Sequence, residues 1–326
     1  LPPSSYGHTI LALPGTYLLL ASPIEPLLDL PHWMRRITNI LALLLVALVA
    51  TRDIGDYFQD WSGASMVKFL YRADYRSLAS FFDVNDDIRD ASVGSMLFGP
   101  WDKVSLKTDL LRRDARIRWA SPERALVFAS GQPTLTYLQD EGQRCSAIQA
   151  ILSRSRTSAA PEGLQGYVIE PVVVPVQAVQ EASDGRVLSD TPFAGALVLR
   201  AARRLPSVEK EASVEVITWW EVIAPLPLPA EELVPYPPPP GVYSGPRLSI
   251  FAHLSHDDEP PAVDDGLWVD PHTLMPGDTF IQVHTFPALS SVDAPLVLTM
   301  GVYDPMTGAR WNTSAGGDSL SLELAP

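Results

Sequence analysis

Two apolar runs dominate the start of the chain. Ile37 to Ala50 is fourteen residues without a charge, bounded by Arg35 and Arg36 on one side and Arg52 and Asp53 on the other. Tyr6 to Ser22 carries no carboxylate, lysine or arginine, and the short segment Pro23 to Arg36 joins it to the second run. As a helix, fourteen residues rise about 21 Å against a hydrocarbon core of roughly 30 Å, so a buried hairpin of a soluble domain competes with a membrane reading. Arginine stems before the run can snorkel. Tyr57, Phe58 and Trp61 after it form an interfacial aromatic cluster. The pattern therefore predicts a transmembrane helical hairpin over residues 1–62. The Arg pair places the connection on the cytoplasmic side and sends Thr51 outward. His8, Pro14 and Gly15 fall in the first helix, which calls for neighbouring helices to satisfy the backbone that proline frees.

Beyond the hairpin the periodicity alternates. Met66, Phe69, Leu70, Leu78, Phe81 and Phe82 recur at helical spacing between Gly63 and Asp83. A short apolar run follows at Ser92 to Phe98, then an amphipathic stretch at Val104 to Arg113. Strand-like runs at Ile117 to Trp119, Arg124 to Phe128 and Thr134 to Leu138 precede a helix over Gln143 to Leu152. This predicts a small extracytoplasmic α/β domain over 63–152. Ser153 to Gly163 reads as a linker. After it come seven short β-rich runs between turn residues: Tyr167 to Val176, Phe193 to Ala201, Val214 to Val222, Arg247 to Leu254, Thr279 to His284, Pro295 to Tyr303 and Ser319 to Leu324. They predict an extracytoplasmic antiparallel β-sandwich over 153–326, so the fold class is α+β. Pro225 to Gly241 holds eight prolines, which excludes a central strand and predicts an extended surface excursion.

Composition narrows the functional classes. The chain has 326 residues, 46% of them hydrophobic, enough for two or three domains with real cores. A formal charge of −14 and a pI near 4.8 leave no basic stripe to neutralise phosphates, so nucleic acid is excluded as a partner. Cys145 is the single cysteine, so no disulfide forms within the chain and no cysteine metal site exists. The start LPPSSYGH has neither initiator Met nor a basic segment ahead of a cleavage site, and reads as a piece of something longer.

The order of several motifs carries a family resemblance. GHTILALPGTYLLLAS, a short basic turn, a second apolar helix and DYFQDW at Asp56 to Trp61 resemble the end of the transmembrane region of bacterial membrane glycosyltransferases of family 39, the dolichyl-phosphate-mannose mannosyltransferase-like proteins. Downstream, Phe251 to Leu254, Asp264 and Asp265, Met275 to Asp278, and Gly301 to Pro305 with Gly308 to Arg310 resemble the extracytoplasmic β-domain that trails some of those transferases. The resemblance implies a multi-pass cell-membrane enzyme that moves a sugar from a polyprenyl-phosphate donor to an extracytoplasmic glycan or lipid acceptor. It implies no cofactor. The family's catalytic carboxylate lies in a first outer loop to which no residue here corresponds, so this chain supplies no catalytic residue. The soluble part would position the acceptor or brace the bundle. His8 stands where the family often has an Arg-His or Arg-Tyr pair near donor phosphate. Here Gly7 takes the arginine's place, and a helix-end histidine at the interface is the alternative.

Other constellations are less specific. His256 to Glu259 with Asp264, Asp265 and Asp270 forms an acidic turn that is either a solvated surface or a calcium ligand set, without the loop spacing of a known site. His253 and His256, three apart on a strand, face different ways and share no metal. Trp219 and Trp220 are candidates for stacking on sugar rings, but adjacent strand residues face opposite ways, so at least one belongs to a core. Asn312-Thr313-Ser314 fits an N-glycosylation acceptor. The alternative to an enzyme fragment is a membrane-anchored β-sandwich that binds glycan or protein without chemistry.

Overall fold

The structure is a computed structural model and describes residues 31–55, 72–95, 100–131, 134–139, 144–154, 156–157, 169–174, 191–205, 213–230, 245–256, 260–287 and 295–324. The chain divides into two compact units, Leu1–Tyr71 and Arg72–Pro326.

In the first unit α1 (His32–Gly55) contains the whole apolar run. Its large apolar side chains are exposed, among them Trp33, Ile37, Ile40, Leu41, Leu44, Leu45 and Leu48. Among the described residues no helix is long and apolar enough to cross a membrane. The physical reason is the one visible in the sequence: charges close the run after fourteen residues. The first arm of the expected hairpin, Tyr6 to Ser22, lies outside the described residues, as do Tyr57, Phe58, Trp61 and the segment 63–71 of the next expected helix. The described architecture therefore contains no transmembrane hairpin.

The second unit mixes α and β. Its helices are α2 (Ala73–Val84), α3 (Pro100–Asp109) and α4 (Ser146–Ser153). Its first sheet has the order β2-β1-β4-β6-β5, built from β1 (Asp90–Gly94), β2 (Arg116–Ala120), β4 (Thr134–Gln139), β5 (Arg156–Thr157) and β6 (Ile169–Val174). β1 runs parallel to β2 and to β4, while β4, β6 and β5 pair antiparallel. The parallel pair β1 and β2 is joined through α3, as parallel pairing requires a crossover. Tyr75, Leu78, Phe81 and Phe82 of α2 repeat at helical spacing and pack with Leu106 of α3 against Val93, Trp119 and Tyr137 of the sheet.

The second sheet, β3-β12-β9-β8-β7, comprises β3 (Ala125–Phe128), β12 (Thr279–Pro287), β9 (Ser213–Val222), β8 (Leu197–Arg204) and β7 (Pro192–Phe193). The third, β11-β10-β13-β14, comprises β11 (Ala262–Val263), β10 (Ser249–Ser255), β13 (Leu296–Tyr303) and β14 (Leu320–Leu324). Both are antiparallel throughout. They face each other across one core in which Val216, Trp220, Phe280 and Phe286 meet Ile250, Leu254, Leu298, Met300 and Val302. The opposite face of the second sheet is also covered. Leu126, Phe128, Ile217, Ile281 and Val283 pack with Ile148 and Ile151 of α4 and with Leu138 of β4. Burial on both faces explains why β9 and β12 read as nearly continuous apolar runs and alternate imperfectly.

Trp220 belongs to this core. It is fully buried, stacks on Phe280 at 6.3 Å and donates its indole N–H to Thr218 Oγ1 at 3.1 Å, so it meets no sugar. Trp219 points to the other face, partly buried against the α4 side. The described part of the proline run, through Ala230, forms neither helix nor strand, with Leu226 and Leu228 packed on the sandwich core and Pro225, Pro227 and Pro229 exposed.

One glycine is fixed by packing. Gly301 of β13 lies opposite Phe251 of β10, whose ring is laid flat over it. A Cβ at Gly301 would collide with that ring and come within 2.5 Å of the Asp318 carbonyl oxygen. Because one of the two obstacles is backbone, rotamer relief is incomplete. Gly301→Ala is expected to lower stability by about 2–3 kcal/mol, read from the urea midpoint, and Phe251→Leu added to it should recover part of the loss and not all. Full recovery would show that the backbone contact is not a constraint.

Candidate functional site

Among its described residues the second unit gathers charged or titratable groups inside the fold at three places. The first lies beyond the carboxyl end of β1. Tyr75 on α2, Ser95 just after β1 and Asp102 in the first turn of α3 converge there, because α2 and α3 pack on the same sheet. Asp102 is fully buried, accepts from Tyr75 Oη at 3.0 Å and from Ser95 Oγ, and faces Arg72 Nε at 3.0 Å. Arg72 in turn lies 3.2 Å from Asp74 and 4.3 Å above the Tyr75 ring. Burial pushes the Asp102 carboxyl above its ordinary range, against the pull of the Ser95 and Tyr75 hydroxyls and Arg72. Burial likewise pushes the Tyr75 phenol up, with the Asp102 charge adding to it.

The second place joins the first two sheets. Arg118 of β2 donates Nε and Nη2 to the two oxygens of Asp278 at 2.8 and 3.0 Å, and Nη1 to Asp90 at 2.5 Å. Asp278 is fully buried and also accepts the backbone N–H groups of Ser130 and Met275, each at 2.8 Å. The strand end at Ala129–Gly131, where Ser130 adopts a left-handed φ of 52°, is thus held to the Met275 to Asp278 turn. Nearby, Lys103 pairs with Asp270 at 2.7 Å.

The third place is the rim of the sandwich. Asp264 pairs with Arg124 at 3.1 Å and accepts the Thr285 N–H at 2.6 Å. Arg124 stacks on Trp268, and His284, fully buried, meets the Trp268 ring edge-on. His284 Nδ1 lies 2.8 Å from the Asp264 carbonyl oxygen and Nε2 lies 2.8 Å from Gln282 Nε2. One neutral tautomer satisfies both contacts: Nδ1–H donates to the carbonyl, and Nε2 accepts from the amide. Burial drives the imidazole down to about 4, so it is neutral at pH 7.

These places account for the acidic turn. Asp264 and Asp270 are held by Arg124 and Lys103, and Asp265 accepts the Ala252 N–H at 3.1 Å with His253 at 3.6 Å. Asp264 and Asp265 fasten their loop to β12 and β10, and Asp270 fastens its own to α3. Among the described residues no group of three or more His, Cys, Asp or Glu could hold a metal ion. Asp257, Asp258 and Glu259 lie outside the described residues, as does His8. His256 is half-buried and reaches Pro295 O at 3.4 Å, apart from His253. Asn312 is exposed, and its carbonyl oxygen accepts the Ala194 N–H at 2.8 Å. Cys145 is partly buried at the start of α4, where burial pushes its thiol up to about 11, an inert group at neutral pH.

Chemically, the three places hold and orient. Ser95 and Asp102 juxtapose a hydroxyl and a carboxylate, and both are buried. Sequence reasoning did not single out Asp102, Arg118, Asp278 or His284 as sites. The available signal was a charge directly before the apolar pair Trp119-Ala120, at Arg118 of RIRWA, and an Asp directly after Pro276-Gly277. Compared with known proteins, the chain matches no family model and no curated protein.

Proposed function

We propose that this chain is the C-terminal part of an integral-membrane glycosyltransferase that moves a sugar from a polyprenyl-phosphate donor to an extracytoplasmic glycan or lipid acceptor, with residues 72–326 in an accessory, non-catalytic role. The observation that carries it is α1, where Trp33, Ile37, Ile40, Leu41, Leu44, Leu45 and Leu48 stand exposed. Water penalises such a surface by about 25 cal/mol for each Å² of it, whereas lipid or neighbouring helices do not. The run alone is short of a full span, and the basic residues bounding it in the sequence fit a helix seated at the membrane interface or among neighbouring helices. The accessory role is supported by the second unit, where the buried charged groups described above are engaged with one another. The order of motifs from GHTILALPG to GVYDPMTGAR supports the transferase context.

Carbonate extraction of membranes from cells expressing the full chain tests the placement. The full chain is expected to stay with the membrane, and Leu44→Asp combined with Leu45→Asp to release it. Protease added from the outer side should digest the second unit. A full chain that washes off with carbonate overturns the membrane reading and favours a soluble β-sandwich binding protein. Transfer of sugar from a polyprenyl-phosphate donor by this chain alone would overturn the accessory role.

A further inference from the structure

The second unit begins at Arg72, and its backbone there is unusual. Arg72 sits at φ 50°, ψ 46° as the residue before α2, without a side-chain cap on that helix. It is one of three non-glycine residues with positive φ among the described residues. A bulky L-residue holds the left-handed region when surrounding contacts fix it there. Those contacts are the buried ones already described: Asp102 at 3.0 Å, Asp74 at 3.2 Å and the Tyr75 ring. The Arg72 carbonyl, oriented by the same backbone angles, accepts the N–H groups of Tyr75 at 3.0 Å and Arg76 at 3.2 Å and so closes the first turn of α2. Side-chain anchorage of Arg72 and closure of the first turn of α2 are therefore one event.

We propose that Arg72, Tyr75, Ser95 and Asp102 form an acid-released clasp on the first turn of α2. With Asp102 ionised the clasp is shut. Protonation of Asp102 removes the charge that faces Arg72. The guanidinium keeps Asp74, the left-handed backbone relaxes, and the first turn of α2 opens. The groups facing Asp102 are Arg72, Asp74 and Tyr75 from the start of α2 and Ser95 from the end of β1; Lys103, next to it on α3, is turned away to Asp270 at 2.7 Å. Arg72 favours the ionised form, so by linkage protonation must weaken Arg72 docking by the same factor. Burial raises the titration of Asp102, so that event comes at a higher pH than an ordinary carboxyl would give. Since the folded unit prefers Asp102 neutral, this proton opens the clasp without destabilising the fold as a whole.

Amide hydrogen exchange on the full chain, corrected for intrinsic rates, tests the clasp. Between pH 7 and 4.5 the Tyr75 and Arg76 amides are expected to lose at least tenfold of their protection relative to the amides of β9 and β12. Asp102→Asn should show the low protection already at pH 7 and lose the pH dependence. Ser95→Ala removes a hydrogen bond that favours the ionised carboxyl, so the pH at which protection falls should move upward. Protection of Tyr75 and Arg76 that does not change with pH overturns the clasp, as does a loss shared equally by β9 and β12. Wild-type protection in Asp102→Asn at pH 7 also overturns it. Should that variant fail to fold, an unmoved midpoint in Ser95→Ala does so instead.

Discussion

Asp278→Ala is expected to destabilise the second unit by about 3–5 kcal/mol, the range for breaking a buried ion pair from one side. Both partners are inside: Asp278 is 0% exposed and Arg118 1%. Alanine leaves the Arg118 guanidinium with Asp90 as its remaining carboxylate among the contacts described, and it strands the N–H groups of Ser130 and Met275. The loss is therefore chiefly the penalty for an uncompensated buried charge and two unmet donors. Asp278→Asn keeps an acceptor for those donors and should lose clearly less than alanine. Urea unfolding followed by tryptophan fluorescence reads the difference, since Trp119 follows Arg118 directly in β2. A loss below about 1 kcal/mol for Asp278→Ala would mean that solvent reaches the pair and that the two sheets are not held together there.

Acid should weaken the sandwich through His284. Its imidazole is held down to about 4 in the folded chain, against about 6.5 in an unfolded one. Between those values the unfolded chain binds a proton that the folded chain refuses, so stability falls as pH drops from 6.5 to 4. The gap corresponds to about 3 kcal/mol at 1.36 kcal/mol for each pH unit. The structural cause is complete burial beside Trp268, with Arg124 nearby opposing a second cation. Urea midpoints measured from pH 7 to 4 should show this slope in the wild type. In His284→Gln, whatever its starting stability, the slope should flatten by the equivalent of one proton. Equal slopes in both proteins would show that His284 does not titrate below its ordinary range.

The type of most elements was legible in the sequence, because type follows from local period. The apolar spacing of Leu78, Phe81 and Phe82 announced α2, and the runs at Val214 to Val222, Thr279 to His284 and Pro295 to Tyr303 became β9, β12 and β13 with ends moved by a few residues at most. The burial of Trp220 followed from simple alternation. Boundaries were less legible where turn residues blur the period: the Ser92 to Phe98 run became β1 at Asp90–Gly94, and the Val104 to Arg113 stretch became α3 at Pro100–Asp109.

Which sheet a strand joins, and which charge meets which, was settled by the tertiary structure. Ala125–Phe128 lies in sequence among the elements of the first sheet, yet β3 pairs with β12, with Leu126 opposite Ile281. Nothing within four residues of chain encodes a partner about 155 positions away; the pairing follows from covering both faces of the second sheet at once. Arg118 and Asp278 stand 160 residues apart, and each alone reads as an ordinary surface charge. The carboxylates of the acidic turn read as a solvated loop or a cation site because their partners, Arg124 and Lys103, come from distant elements. Local period is fixed by backbone geometry over a few residues, whereas desolvation of a charge depends on everything packed around it. The sequence by itself therefore determined the helices, the strands and their apolar faces. Only the folded chain decided that its buried charges would be fastenings between those elements.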